Sequence, residues 1–585
     1  MVKRWVLPPD RDADVERLSA ALRVSPVTAR ILVNRGLTEP AAAQSFLQPT
    51  LHELRDPCED PAVVAAARFL LEAVHDGRHI TVFGDYDADG ICGTALLMHA
   101  LRFLDAQVDF YIPHRVDEGY GLSIEALREL AAGGSEVIVT VDCGVTAVEE
   151  AAEARRLGID LIVTDHHPPT DELPDAAHVL NPKLRGATFG YEGLAGVGVA
   201  FKLVWALGQQ LSEGTRVSEE YRDLLMEALS LVALGTIADV CPMMDENRVL
   251  TRYGLKTLPT SSLPGLRALI AASRPRGDQL SARDVAFLLA PRLNAAGRMG
   301  DARSAVDMLI TDDERHASDL AGHLEQQNRQ RRRTQTEAVR QAEQMLADTG
   351  QLDEPGCIVL SSPDWHLGIV GLVASRLADR FGRPCFALNV EGNVARGSAR
   401  SPGAFPLYQA VSECSDLLDR FGGHDTAAGL SLQMDNLPAF TERINALALR
   451  FHGGEAPIPD LALDGEMPLS ALNADLVREL RLLEPFGRDN PRPLFAATDL
   501  RLVGYPQTVG SAGRHLAFKV RQGNTVLRAI CMGKADWLGE LSARKGEPFS
   551  LAFEPSIDYY RGTMSIELRG EDIQWDAEHR VARGA

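Results

Sequence analysis

Short apolar runs rich in β-branched residues recur through the first half of the chain, and each stops abruptly at an acidic cluster. Ile80-Thr81-Val82-Phe83 runs into Gly84-Asp85-Tyr86-Asp87-Ala88-Asp89-Gly90, and Val137-Ile138-Val139-Thr140-Val141 runs into Asp142-Cys143-Gly144. The run Ile159–Val163 leads into Thr164-Asp165-His166-His167-Pro168, and Thr236-Ile237-Ala238-Asp239 follows downstream. Runs of this kind, bounded by turn residues and alternating with helical stretches, predict the buried strands of a parallel sheet. Ligands of an open α/β sheet bind at the carboxyl ends of its strands, so these carboxylates and imidazoles are expected at one edge.

The periodicity changes along the chain and suggests five segments. Residues 1–60 read as small helices, with Ser25-Pro26 and Thr38-Glu39-Pro40 as entry signals, and are expected to pack against the next domain. Residues 61–250 read as the α/β domain. Residues 251–350 read as helical, ending in one long helix over 312–349 that is free of proline and could bridge two lobes. Its cluster Arg329, Arg331, Arg332, Arg333 reads as a solvated helix face ahead of a phosphate-contacting stripe. A second α/β unit spans 351–452, and Gly453–Pro459 reads as a linker. In residues 457–575 the pattern becomes all-β from about 497, with candidate strands at 499–504, 514–521, 524–532, 548–555 and 563–574 and a short helix near 535–541. Five strands and one helix suit an oligonucleotide-binding barrel, although any small five-stranded barrel has the same pattern.

Carboxylates with neutral imidazole suit Mn²⁺ or Mg²⁺, and several carboxylates can hold two such ions. A calcium loop is disfavoured, because its twelfth position requires Glu and here is Leu96. Singly, Asp142 reads as a turn or cap, His166 as a packed histidine and Asp239 as a loop residue. Together, four acidic strand ends in one unit would repel one another unless cations neutralise them. Anion-binding candidates lie further on: Arg298 after Asn294-Ala295-Ala296-Gly297, then Arg396-Gly397-Ser398-Ala399-Arg400-Ser401, and Gly422-Gly423-His424 as a possible backbone nest. Trp365, His366, Tyr559 and Tyr560 are possible base-stacking residues, with core or surface packing as the plainer reading.

The order Gly-Asp-Tyr-Asp-Ala-Asp-Gly, Val-Asp-Cys-Gly, Asp-His-His and Ile-Ala-Asp resembles the DHH phosphoesterase superfamily. Phe421-Gly422-Gly423-His424-Asp425-Thr426-Ala427-Ala428-Gly429 is similar to the signature of the DHH-associated domain. Pro291–Arg298 and Glu484-Pro485-Phe486-Gly487 narrow the resemblance to the RecJ-like branch of single-strand-specific 5′→3′ DNA exonucleases. The resemblance covers roughly residues 60–575. It implies two α/β lobes joined by a long helix, plus a C-terminal OB-fold barrel. It also implies two Mn²⁺ or Mg²⁺ ions bridged by Asp142, with Asp87 on one and Asp89, His166 and Asp239 on the other. His167 would contact the scissile phosphate, protonate the leaving oxygen or support the site, and Asp85 would support it. Arg298, Ser398, Arg400, Gly423 and His424 would bind phosphate. Implied partners are single-stranded DNA, a single-strand-binding protein and a RecQ-type helicase, with the chain itself a monomer. Some DHH proteins carry His where this chain has Phe83, so one imidazole ligand is missing and water or another carboxylate takes its place. Asp489 stands where the family often has Gly, a position suited to positive φ. A hydrolase of pyrophosphate, short oligonucleotides or cyclic dinucleotides is the alternative enzyme. A metal-free binding protein is the alternative of another class, and the intact acidic set argues against it.

Composition bounds these readings. With 585 residues, several domains are expected, and 45% hydrophobic content is ample for their cores. A net charge of −21 argues against a globally basic nucleic-acid surface and leaves room for a local basic channel. Eight cysteines without a Cys-x-x-Cys oppose a zinc ribbon and a disulfide framework, and fit a reducing compartment. The N-terminus is too short and too soon acidic for a signal peptide, and no apolar run spans a bilayer, so the cytoplasm is the expected location.

Overall fold

The structure, a computed structural model, describes residues 3–212, 216–275, 279–350, 355–403, 405–454, 458–510, 512–560, 563–575 and 581–583. The chain forms two compact units, Thr50–Pro457 on the one hand and Met1–Pro49 with Ile458–Ala585 on the other.

In the first unit the three predicted strands join two that the pattern did not reveal, Val108–Tyr111 and His178–Leu180, in a five-stranded sheet of order Val108–Tyr111, Ile80–Gly84, Val137–Val141, Asp160–Thr164, His178–Leu180. All four pairings are parallel. Alternate residues feed different cores. Ile80, Val82, Val137, Val139 and Ile162 join one apolar cluster, while Phe83, Ile138, Leu161 and Val163 join another. A strand buried on both faces reads as a continuous apolar run, which is why these segments show no polar alternation. The direction of winding changes between Ile80–Gly84 and Val137–Val141. This switch point opens a crevice at the carboxyl ends of those two strands.

The glycines of the first motif permit close strand–helix approach. A Cβ on Gly84 would lie 1.9 Å from Thr94 Oγ1, and one on Gly90 would lie 2.6 Å from the Asp85 amide. The helix Ala88–Phe103 therefore starts directly off the strand, capped by Asp87. The long helix is present as Glu314–Asp348. Its first half packs on Pro264–Ser273, Ala290–Met299 and Arg303–Ile310, and its second half packs on Leu367–Phe381 through Ala338, Ala342 and Leu346. The bridging helix is thus observed. Of its arginine cluster, Arg329, Arg332 and Arg333 are exposed, whereas Arg331 is half-buried with no partner for Nε. The second lobe is a mixed sheet in the order Arg420–His424, Ala427–Gln433, Val394–Arg400, Cys385–Glu391, Ile358–Ser362.

In the other unit the strands Phe495–Val509, His515–Gln522, Thr525–Cys531, Phe549–Tyr560 and Thr563–Trp575 close into a barrel through pairing of the first with the fourth. Residues 1–49 belong here, and not, as sequence proximity suggested, with the domain that follows them. Strand Arg4–Leu7 pairs in parallel with Asp460–Ala462 and with Val581–Arg583. Trp5 is fully buried and donates Nε1 to Asp572 Oδ2 at 2.8 Å. Ser25 caps its helix, as expected, and also donates its hydroxyl to Glu479 at 2.6 Å. Asp489 has φ 62°, the conformation that favours Gly at that position.

Candidate active site

The three motif aspartates reach the crevice in different ways. Asp85 follows the strand directly and is buried. Asp87 caps the helix, its Oδ1 accepting the amides of Asp89 at 2.9 Å and Gly90 at 3.3 Å. Asp89 lies in the first helical turn, where its carboxylate accepts the amides of Gly196 at 2.7 Å and Val197 at 3.0 Å. Those amides begin the helix Gly196–Leu211, so a helix N-terminus holds the carboxylate. A Cβ at Gly196 would lie 2.8 Å from Asp142 Oδ1, and one at Gly235 would lie 2.7 Å from Asp89 Oδ1. Gly196–Leu211 and the helix Glu219–Ala238, which carries Gly235, must both present glycine to let the acids sit there.

His166 Nε2 lies 3.0 Å from Asp142 Oδ1, 3.7 Å from Asp239 Oδ2 and 3.9 Å from Asp89 Oδ2. Asp85, Asp87 and Asp142 form an adjoining group whose carboxylate oxygens lie within 4.8 Å of one another. The predicted ligands are therefore brought together. Asp85, expected to support the site, is placed among the potential ligands. Asp85 Oδ1, Asp142 Oδ1 and His166 Nε2 are buried without hydrogen-bond partners. Orphaned oxygens and one imidazole nitrogen turned on one another fit a pair of hard divalent cations. Phe83, the departure from some relatives, is fully buried and stacks on Tyr111 at 5.3 Å, so hydrocarbon fills its place.

Electrostatics point the same way. Burial first, and then the charges of neighbouring carboxylates, push Asp85, Asp89 and Asp142 well above the usual carboxylate range. The same causes, burial and Asp87, raise Asp239 to about 6. Burial and the neighbouring His167 lower His166 to about 3, leaving it the neutral imidazole a metal requires. His167 is different. Burial opposes its protonation, but the bond from Nδ1 to Asp165 Oδ1 at 2.8 Å, with that carboxylate's charge, raises it. Asp165 also accepts amides of His166, His167 and Val145 at 2.7, 3.1 and 2.9 Å. Despite burial, the bond to the His167 ring with its charge, and then the Val145 and His167 amides, hold Asp165 below its ordinary value.

A pocket of about 160 Å³ lies beside the acids, lined by Tyr86, Arg115, Arg298, Ser398 and Arg400 among others. Burial, with the charges of Arg115 and Arg331, lowers Arg298 to about 9 despite the nearby Asp87. Among the described residues, none of Arg115, Arg298 and Arg400 is ion-paired with a carboxylate. Three guanidiniums around one void without a counter-charge suit a bound anion. Arg298, Ser398 and Arg400 are thus assembled as expected. Gly423 and His424 are not in this pocket. They lie on the exposed edge strand Arg420–His424, His424 opposite Ala427, which is itself opposite Arg400. The expected loop nest is strand. Trp365 is core, donating to Gln341, and so is no stacking platform, whereas His366 is exposed and caps the helix Leu367–Phe381 by accepting the Gly368 amide. The side chains of Tyr559 and Tyr560 lie outside the described residues.

Four residues escaped the sequence reading. Arg115 lines the anion pocket from a loop with no motif of its own. Tyr120 donates to the Asp142 carbonyl at 2.8 Å and pairs with His167 Nδ1 at 3.0 Å. Lys183 donates to the His166 carbonyl. Cys241 donates Sγ to Asp239 Oδ2 at 3.1 Å, and its place two residues after Asp239 was the available signal.

Three family profiles match: the DHH family N-terminal domain over residues 79–236, the DHHA1 domain over 354–449 and the RecJ OB domain over 463–572. The single-stranded-DNA-specific exonuclease RecJ of Bacillus subtilis is 37% identical over 574 residues, 97% of this chain and 70% of that protein. The crystal structure of RecJ with Mn²⁺ from Thermus thermophilus matches with TM-score 0.81 at 32% identity, covering 98% of this chain and 79% of that one. Its Mg²⁺ complex matches with TM-score 0.76 at 32% identity, covering 98% and 78%.

Proposed function

Because the chain belongs to the RecJ family of single-stranded-DNA-specific exonucleases, we infer that it removes nucleotides from the 5′ end of single-stranded DNA in recombination and repair, using Mn²⁺ or Mg²⁺. One observation carries this reading for the site. The acidic centre and the carboxylate-free arginine pocket meet at Tyr86, Asp87 and Arg298. A terminal phosphate held in the pocket would leave only the first phosphodiester over the carboxylates.

Asp85, Asp87, Asp89, Asp142, His166 and Asp239 would hold the two ions, with Asp142 common to both groups of donors. When bound, such a pair activates water and neutralises charge on the attacking and leaving oxygens. The remaining roles belong to the chain. Arg115, Arg298, Arg400 and Ser398 bind and orient the 5′ phosphate through charge-assisted hydrogen bonds. Asp165 fixes the His167 ring through Nδ1, so Nε2 can donate a proton to the departing 3′ oxygen. The exposed Phe421 borders a groove of about 710 Å³ along Arg396 and Arg420, which suits a single strand. In the other unit the barrel carries exposed Arg501, Lys519, Arg521 and Arg528 on neighbouring strands, a cationic face for backbone phosphates. Duplex DNA becomes a substrate only once unwound, so we propose a RecQ-type helicase and a single-strand-binding protein as its partners.

The test compares end-labelled single strands of graded length, with and without a 5′ phosphate. Arg400→Ala is expected to lower kcat/KM on 5′-phosphorylated strands by about 10–100-fold, as loss of charge-assisted bonds implies. Unchanged kcat/KM would remove the clamp from the mechanism. Collapse of wild-type activity on long strands would instead favour the small-substrate hydrolase.

A further inference from the structure

We propose that the groove between helices Ala88–Phe103 and Glu219–Ala238 docks an amphipathic helix of a partner protein. The apolar stripe of that helix would enter the groove, and its lysines or arginines would meet Glu220, Asp223 and Glu227. The groove is separate from the acidic centre and from the arginine pocket, since none of its lining residues belongs to either.

The floor follows from helical spacing. Leu96, His99 and Phe103 stand at i, i+3 and i+7 on one helix, and Leu224, Ala228 and Leu231 at i, i+4 and i+7 on the other, so each set shares a face. The two faces, with Leu263, line a cavity of about 340 Å³. Leu96, Ala228 and Leu231 are buried, whereas Phe103 is 43% exposed and touches Tyr221 edge-on at 5.5 Å. His99 adds no charge, because burial holds it below its ordinary value and Nε2 donates to the Leu309 carbonyl at 3.0 Å. Exposed apolar surface that continues into a formed cavity marks a binding site.

The rim fixes the charge of the occupant. Glu220, Asp223 and Glu227 recur turn by turn along a single helix, a row with a rise of about 10 Å. Among the described residues that line the groove, none is Lys or Arg. Glu227 accepts the Ser262 hydroxyl at 3.0 Å, the Ser262 amide at 3.1 Å and the Ser261 hydroxyl, and these neutral donors leave its charge in place. Arg222 lies 3.7 Å from Asp223, but both are more than half exposed, and such a pair is worth little. Arg102, beside Phe103, is engaged by the Ile310 carbonyl. A rim of carboxylates repels phosphate, so the groove is no extension of the strand path. A third helix can seat its ridges between two packed ones, and an apolar stripe flanked by cations one turn apart meets both floor and rim.

Fluorescence anisotropy with the full chain, without DNA, tests this. The probe is a labelled peptide of about 16 residues made of leucine, lysine and alanine, with leucines at i, i+3, i+4 and i+7. One control carries Glu for Lys, and another a central Pro that breaks the helix at unchanged charge. Expected is binding of the basic helix alone, weakening as salt rises. Phe103→Ala, and Glu220→Gln combined with Asp223→Asn, should each lower its affinity by about tenfold, while both variants degrade single-stranded DNA as the wild type does. Equal affinity of the wild type and both variants, or equal binding of either control peptide, overturns the proposal. So does failure of the basic helix to bind. Self-association of the full chain that Phe103→Ala abolishes overturns it too, and makes a second copy the occupant.

Discussion

Asp142 is held at φ 63°, a backbone conformation that costs a non-glycine residue about 1–3 kcal/mol. In this conformation its carboxylate lies 3.0 Å from His166 Nε2. At the same scale, Asp165 decides what His167 can do. Asp165→Asn preserves shape but loses the charge that orients and protonates the ring. The expected result is a fall in kcat of about 10²–10⁴-fold with little change in Mn²⁺ affinity, measured by single-turnover cleavage and calorimetry. The acids also set a pH dependence. Asp85, Asp89, Asp142 and Asp239 hold protons more tightly folded than unfolded, Asp239 up to about 6. Such groups contribute stability below their unfolded value near 4, and that contribution is lost as pH rises through the folded value. Asp165, shifted the other way, loses its contribution as pH falls through its depressed value. Metal-free protein should therefore lose Tm as pH rises from about 4 through 6, and the increment given by Mn²⁺ should widen over that range in thermal melts. Asp85, Asp142 and His166 were legible because each follows closely on an apolar strand run, Asp87 and Asp89 because they repeat at every second position after it, and Asp239 because it ends an apolar stretch, which the structure shows to be a helix. Arg115 and Tyr120 were not, because only the folded loops bring them to the site.

The helix Gly196–Leu211 shows how elements hold these residues. Its N-terminal amides carry Asp89, while Lys202 in its middle is fully buried against Glu246 at 2.6 Å. Glu246 also takes the Arg55 amide at 2.7 Å, Arg55 Nη1 at 3.1 Å and the Tyr191 amide at 2.6 Å. Breaking one side of such a pair strands a charge, so Lys202→Met should cost about 3–5 kcal/mol in urea unfolding. Pairing it with Glu246→Leu should recover part of that loss. Strands and the long helix were readable from period and length alone. Gly422-Gly423-His424 was not, because a glycine pair suits a nest and an edge strand equally until its partner Ala427–Gly429 is placed across from it.

At the scale of the whole molecule, the barrel and both α/β lobes were readable from local pattern, but the destination of residues 1–49 was not. A short strand such as Arg4–Leu7 carries no mark of partners more than 450 positions away. A chain ending at residue 457 should keep the 50–457 unit folded while limited proteolysis strips residues 1–49, which the full chain protects. The parallel strand trio also has a consequence for biosynthesis. Strand Arg4–Leu7 leaves the ribosome well before its partners and cannot be completed until they are made, and at roughly 5–20 residues per second the intervening unit alone takes about 20–80 s to synthesise. For that interval Leu18, Ile31, Leu32 and Phe46, buried in the finished protein, have no final packing and are natural clients for a chaperone.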